Sequence, residues 1–176
     1  MSEKHYLETY LQDHLAAATA GLELAKRLAA QNGGNPIGHQ VGEIVEQIEE
    51  EATVLRNVLR TLDISPSRTK AAGAWVAERL GRLKLNNELV RYSPLSRVLE
   101  LEGLQGGVRA KQCLWRALLL ASDEHPELQK FPLAELRDTA DEQLERLQAL
   151  HHDAALVMIR YDNSHPHPEN EDRPAP

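Results

Sequence analysis

Between Pro36 and Leu62 the chain places Ile37, Val41, Ile44, Ile48, Leu55, Val58 and Leu62 at steps of three, four or seven residues, with Glu51 as the one polar residue in phase. That spacing lines one face of an α-helix and no face of a strand. The pattern recurs along the chain. A first helix is expected over about 3–31, with Leu7, Leu11, His14, Ala18, Leu22, Ala25 and Leu28 on its buried face. A shorter third helix, 67–85, carries Ala72, Val76, Leu80 and Leu83, with Trp75 beside them. A fourth, 94–121, is apolar on two sides: Val98, Leu101, Val108, Trp115 and Leu119 on one, Leu95, Leu99 and Leu120 on the other. A fifth, 132–160, turns Leu133, Leu136, Ala140, Leu144, Leu147, Ala154 and Met158 inward. No stretch alternates with period two, so the expected fold class is all-α.

Punctuation between the segments agrees with this division. Asn32-Gly33-Gly34-Asn35-Pro36 stops one helix and starts the next, because glycine favours helix ends and proline suits a first turn. Asp63-Ile64-Ser65-Pro66, Asn86-Asn87 and Ser93-Pro94 mark the later breaks. Aromatic residues are only 4 % of the chain, so the core has to be aliphatic, which suits packed helices. One domain is expected over 1–160, followed by a disordered, acidic, Pro- and His-containing tail over 161–176, which has almost no apolar residues.

Charge and cysteine content narrow the function classes. A formal charge of -7 argues against a whole-surface nucleic-acid binder, which needs clustered Lys and Arg. The lone Cys113 cannot form an internal disulfide and reads as a small buried residue. The chain starts without the apolar stretch of a signal peptide, and no apolar run approaches bilayer length. The expectation is a cytoplasmic protein with no membrane and no nucleic-acid partner.

The tight turn at 32–36 makes the first two helices antiparallel neighbours. The second helix is roughly 39 Å long on the α-helical rise, and the stretch from Ile64 to Tyr92 has the length to travel that height. A second antiparallel pair then starts from the other end. A long crossover between two pairs is ferritin-like topology. In Tyr10-Leu-Gln-Asp-His-Leu-Ala-Ala-Ala-Thr-Ala-Gly-Leu-Glu-Leu and Ser93-Pro-Leu-Ser-Arg-Val-Leu-Glu-Leu-Glu-Gly-Leu the chain resembles uncharacterised bacterial ferritin-like proteins. The resemblance implies a ferritin-like four-helix bundle with a helical crossover, and raises the question of a di-iron site.

Di-metal members of that superfamily use one Glu on each of two helices and a Glu-x-x-His pair on each of the others. Both Glu-x-x-His pairs are missing here. Three residues after Glu51 stands Val54, and three after Gln143 stands Arg146. The inward polar residues that remain are His14, Glu51, Gln143 and Glu102; Glu102 shares a face with Leu95 and Leu99. His14, Glu51 and Gln143 are expected at similar heights, and Glu102 with His151 nearer one end. His14, Glu51, Glu102 and His151 are therefore the candidate ligands of a rebuilt iron or manganese site. So few ligands hold a metal weakly, and a structural polar cluster is the favoured reading. No cofactor is assigned.

Gly103, Gly106 and Gly107 lie inside the fourth helix, opposite Ala16-Ala-Ala-Thr-Ala-Gly21 of the first. Close packing of two small-residue faces is preferred there over a bulge or a ligand pocket. The acidic run Glu43, Glu46, Glu49, Glu50 and Glu51 faces a base-rich crossover segment with Arg68, Lys70, Arg79, Arg82, Lys84 and Arg91, and mutual neutralisation is expected. Taken together, the sequence supports a non-catalytic interaction or structural module. It is expected to be a homodimer through its spare apolar faces, with room for an unknown protein partner. The alternative is a metal-binding, oxidoreductase-like protein.

Overall fold

The computed structural model describes residues 4–65 and 92–164. They form four long α-helices: α1 (Lys4–Gln31), α2 (Pro36–Thr61), α3 (Pro94–Ala121) and α4 (Leu133–Ser164). A short 3-10 helix, Pro126–Lys130, precedes α4, and no strand occurs among the described residues. The short helix expected over 67–85, Trp75 and the tail from 165 lie outside those residues. So do the basic side chains from Arg68 to Arg91. The last helix runs four residues beyond the expected Arg160, through Tyr161–Ser164, because the first residue that opposes helix there is Pro166.

Helix ends follow local chemistry. Asn35 caps α2, its side-chain oxygen accepting from the backbone N–H of Ile37 (2.9 Å) and Gly38 (3.3 Å), with Pro36 in the first turn. Ser93 caps α3 in the same way, accepting from Ser96 N–H at 3.1 Å. At the far end of α2, Asp63 sits in the left-handed region (φ 56). Ile64 N–H then reaches Leu59 C=O at 2.9 Å and Asp63 N–H reaches Arg60 C=O at 3.2 Å, a Schellman closure. The α1–α2 turn is tight enough to require glycine: a Cβ on Gly38 would lie 2.1 Å from the Asn32 carbonyl oxygen.

One apolar core joins all four helices, built from residues such as Leu28, Ile44, Leu55, Leu101, Leu118 and Leu147 around Trp115, the one buried aromatic among the described residues. Leu128 of the 3-10 helix is fully buried against it. The most extensive packing is α1 on α2 and α3 on α4; α1 also packs on α3, and α2 touches α4. Polar contacts fix the directions. The end of α1 meets the start of α3, with Asn32 Oδ1 accepting from Arg97 Nε at 2.7 Å. The end of α2 meets the start of α1, with Gln12 Nε2 donating to Ser65 C=O at 2.9 Å. Glu43 pairs with Arg146 and Glu51 with Gln143, so α4 is antiparallel to α2. Consequently α2 and α3 run in the same direction, and Ser65 and Tyr92 stand at opposite ends of the bundle.

The second apolar side of α3 is not covered by the other described helices: Leu120 is 77 % exposed, Leu95 is exposed, and Leu99 is half-buried. Two expectations are corrected. Cys113 is exposed, since Gln112, Leu114 and Trp115 take the inward positions around it. The small-residue faces of α1 and α3 do not close on each other. A Cβ on Gly103 would meet Leu24 Cδ2 at 3.2 Å, but Cβ atoms on Gly21, Gly106 or Gly107 would meet nothing within 4 Å among the described residues. Leu24 fills the space at Gly103 and holds the two backbones apart.

These glycines are expected to respond oppositely to alanine. Gly38→Ala should destabilise strongly, because backbone has to move. Gly107→Ala should stabilise by about 0.5–1 kcal/mol through helix propensity. Urea titrations of the two variants against the parent chain check both signs.

Candidate functional site

The middle of the bundle holds the polar residues that an aliphatic core should exclude. Glu51 continues the apolar stripe of α2 and is 4 % exposed. Lys111 of α3 stands three residues after Val108 and four before Trp115, on the inward side of its helix. Gln143 of α4 is buried opposite them. The Lys111 ammonium donates to Glu51 Oε2 and to Gln143 Oε1. Gln143 Nε2 donates to Glu51 Oε1 at 3.1 Å and to Gln47 Oε1 at 3.0 Å. Both Glu51 oxygens and both ends of the Gln143 amide are thereby used. Next to this group, buried Gln112 donates to Asp141 and accepts from Arg109.

Burial dominates the electrostatics of the pair. It raises the Glu51 carboxyl above its ordinary range, against the pull of Lys111 and the Gln143 hydrogen bond. It lowers the Lys111 ammonium, against the pull of Glu51. Desolvation of two charges is costly, and fixed hydrogen bonds offset that cost only while both partners are present.

The four candidate ligands fall into separate places. His14, half-buried on α1, lines a cavity that Glu51 and Lys111 also line. Its ring meets Tyr10 edge-on, centroids 4.4 Å apart, and burial lowers its pKa, with Asp13 opposing. Glu102 and His151 do meet, at 3.1 Å, but on the outer flank of α3 and α4, where Glu102 is exposed. Glu102 lies nine residues before Lys111, about 13 Å along α3. The inward carboxylate near this end is Glu100, 1 % exposed and 2.6 Å from the Arg27 guanidinium. Its spacing of four from Ser96 and Leu104 is the signal that distinguishes it from Glu102. Burial raises Glu100 as well, opposed first by Arg27.

A metal does not fit this donor set. Around Glu51 stand a lysine ammonium, an amide and an imidazole, where iron or manganese needs several carboxylates and imidazoles converging. Among the described residues no three or more His, Cys, Asp or Glu side chains are grouped to hold an ion. Lys111 was the residue missed by reading inward carboxylates and histidines alone.

The cavity lies between α1, α2 and α3 and measures about 50 Å³. Ala18 and Gly21 of α1, Leu55 of α2, and Gly107 and Trp115 of α3 form much of its wall. Glu51 and Lys111 supply its charged groups. Among the described residues no helix is long and apolar enough to cross a membrane. No family model, curated protein or solved structure matches the chain.

Two outcomes follow from the geometry. Lys111→Met is expected to cost about 3–5 kcal/mol by leaving Glu51 buried and unpaired, and adding Glu51→Leu should restore most of the loss. A double-mutant cycle in urea measures both. For His14, the unfolded chain takes up a proton near the ordinary value of 6.5, and the folded chain only at lower pH. The unfolded state therefore binds more protons as pH falls through that window, and the His14 contribution to stability is lost there. His14→Gln lacks this term, so the parent's melting temperature should fall relative to the variant's between about pH 7 and pH 5.

Proposed function

We propose that this protein is a ferritin-like four-helix bundle of the bacterial type that acts without metal chemistry, as a structural or interaction module. The observation that carries the reading is the Lys111 ammonium bonded to Glu51 and Gln143 in the bundle centre. Metal-binding bundles of this architecture gather inward carboxylates and histidines around metal cations. Here a fixed organic cation neutralises the Glu51 carboxylate. The parallel run of α2 and α3, with Ser65 and Tyr92 at opposite ends, supports the crossover topology that the reading requires.

The module acts as a homodimer in this reading. Leu95 and Leu120 on α3, with Val157, Ile159 and Tyr161 on α4, are exposed apolar side chains of the kind a partner surface covers. The competing reading is an oxidoreductase-like metal protein using His14, Glu51, Glu102 and His151. The separation of these residues into two places weighs against it.

Native mass spectrometry of protein expressed with supplementary iron and manganese tests both parts. The expected species has twice the 19.7 kDa chain mass and carries less than about a tenth of an equivalent of metal. A single-chain mass would remove the dimer. Near-stoichiometric iron or manganese that disappears in Glu51→Ala would replace the module with the metal protein.

A further inference from the structure

We propose that the cavity between α1, α2 and α3 is a hydration site: one or two water molecules sit in it, accepting hydrogen bonds from Trp115 Nε1–H and Lys111 and donating to His14. The site is independent of ferritin-like ancestry and of dimer formation.

Size sets the first limit. The cavity measures about 50 Å³. A water needs roughly 10–15 Å³ of cavity to enter, and its share of the liquid is about 30 Å³. The space therefore takes one or two waters and no larger guest. Protein interiors are close-packed, and this void persists because Gly21 and Gly107 present no side chains to it while Leu24, at Gly103, holds the α1 and α3 backbones apart.

Polar groups decide between a wet cavity and a dry one. A cavity walled only by aliphatic side chains stays dry, and a water is held where two to four polar partners surround it. Trp115 is 1 % exposed and lines the cavity, and its indole N–H has no acceptor among the described residues. A buried donor left without an acceptor is costly, so this group calls for one. Lys111 carries three N–H donors, of which its bonds to Glu51 and Gln143 use two. His14, also in the wall, meets the Tyr10 ring and has no hydrogen-bond partner among the described residues. Burial lowers its pKa, with Asp13 opposing, so at neutral pH the ring is the neutral imidazole with one acceptor nitrogen. Two donors and one acceptor complement a water molecule, which accepts twice and donates twice.

Charge excludes the other guests of this size. Lys111 and Glu51 neutralise each other, so a halide or an ammonium ion would add an uncompensated charge to a largely apolar space. A noble-gas atom would leave Trp115 without an acceptor. Exchange with solvent runs along the α1–α3 seam, where Gly106 and Gly107 are exposed.

The test is water-selective NOESY and ROESY of the full chain, labelled with ¹⁵N and with ¹³C-methyl alanine, read at the indole N–H. The chain has two tryptophans, Trp75 and Trp115, and the signal lost in Trp115→Phe is that of Trp115. A held water gives a cross-peak with the sign of the diagonal in NOESY and the opposite sign in ROESY, which proton exchange of the indole does not. That peak is expected at Trp115. It should be lost completely in Ala18→Val, whose added carbons fill the space while Lys111 and His14 remain. Xenon under pressure, which enters dry apolar cavities, should give no saturable shifts of the Ala18 and Ala52 methyl groups in the parent chain. No cross-peak at Trp115, a peak that survives in folded Ala18→Val, or saturable xenon shifts would each overturn the proposal. The parent's cross-peak and its xenon response decide alone if Ala18→Val does not fold.

Discussion

The bond network of Lys111, Glu51 and Gln143 constrains the whole arrangement, because it is where α2, α3 and α4 meet through polar atoms in the core. Aliphatic side chains tolerate a small slide of one helix past another, trading one set of contacts for a similar one. An ammonium with a carboxylate and an amide does not. Displacing α3 along its axis by one turn, about 5.4 Å, would strand Glu51 in apolar surroundings. The network therefore specifies the heights of three helices, and the apolar core supplies the attraction that brings them together. Its stabilising effect is small or negative compared with an apolar replacement. Its contribution is to the choice of register.

A second polar group performs the same task at one end. Asn32 closes the α1–α2 turn with a bond to Leu28 C=O at 2.8 Å, donates to the Tyr92 hydroxyl at 2.6 Å, and accepts from Arg97. Nearby, Arg27 reaches Glu100. The turn that joins the first pair of helices thus also locates the start of α3.

Much of the fold was legible in the sequence because it depends on local rules. The stripe from Ile37 to Leu62, the Asn35-Pro36 and Ser93-Pro94 starts, and the Asp63 stop are each decided within a few residues. The meeting of Glu51 with Gln143, and of Glu102 with His151, followed from helix direction and phase. What escaped depends on partners supplied by other helices. A lysine on a helix is ordinarily solvated, and nothing within four residues of Lys111 reveals a carboxylate sixty positions away. Glu100 and Glu102 flank Leu101 and differ by only a rotation of the helix. The glycines of α3 announced room beside the backbone, but whether a neighbour fills that room was decided by Leu24 on another helix.

The division of labour between apolar and polar contacts has a consequence for how the bundle opens. Packing is heaviest within the pairs α1–α2 and α3–α4, and lighter between them. The charged contacts Glu51–Lys111, Glu100–Arg27 and Glu43–Arg146 all cross from one pair to the other. The described residues thus form two hairpins, each cohesive through local apolar contact, joined along a thinner seam crossed by long-range ionic bonds. Hairpins of this kind gain their contacts at short sequence separation, early in folding, whereas the seam waits for residues sixty or more positions apart to meet. Sub-global opening follows the same line: the hairpins part before they unravel, and the parting returns Lys111 and Glu51 to water.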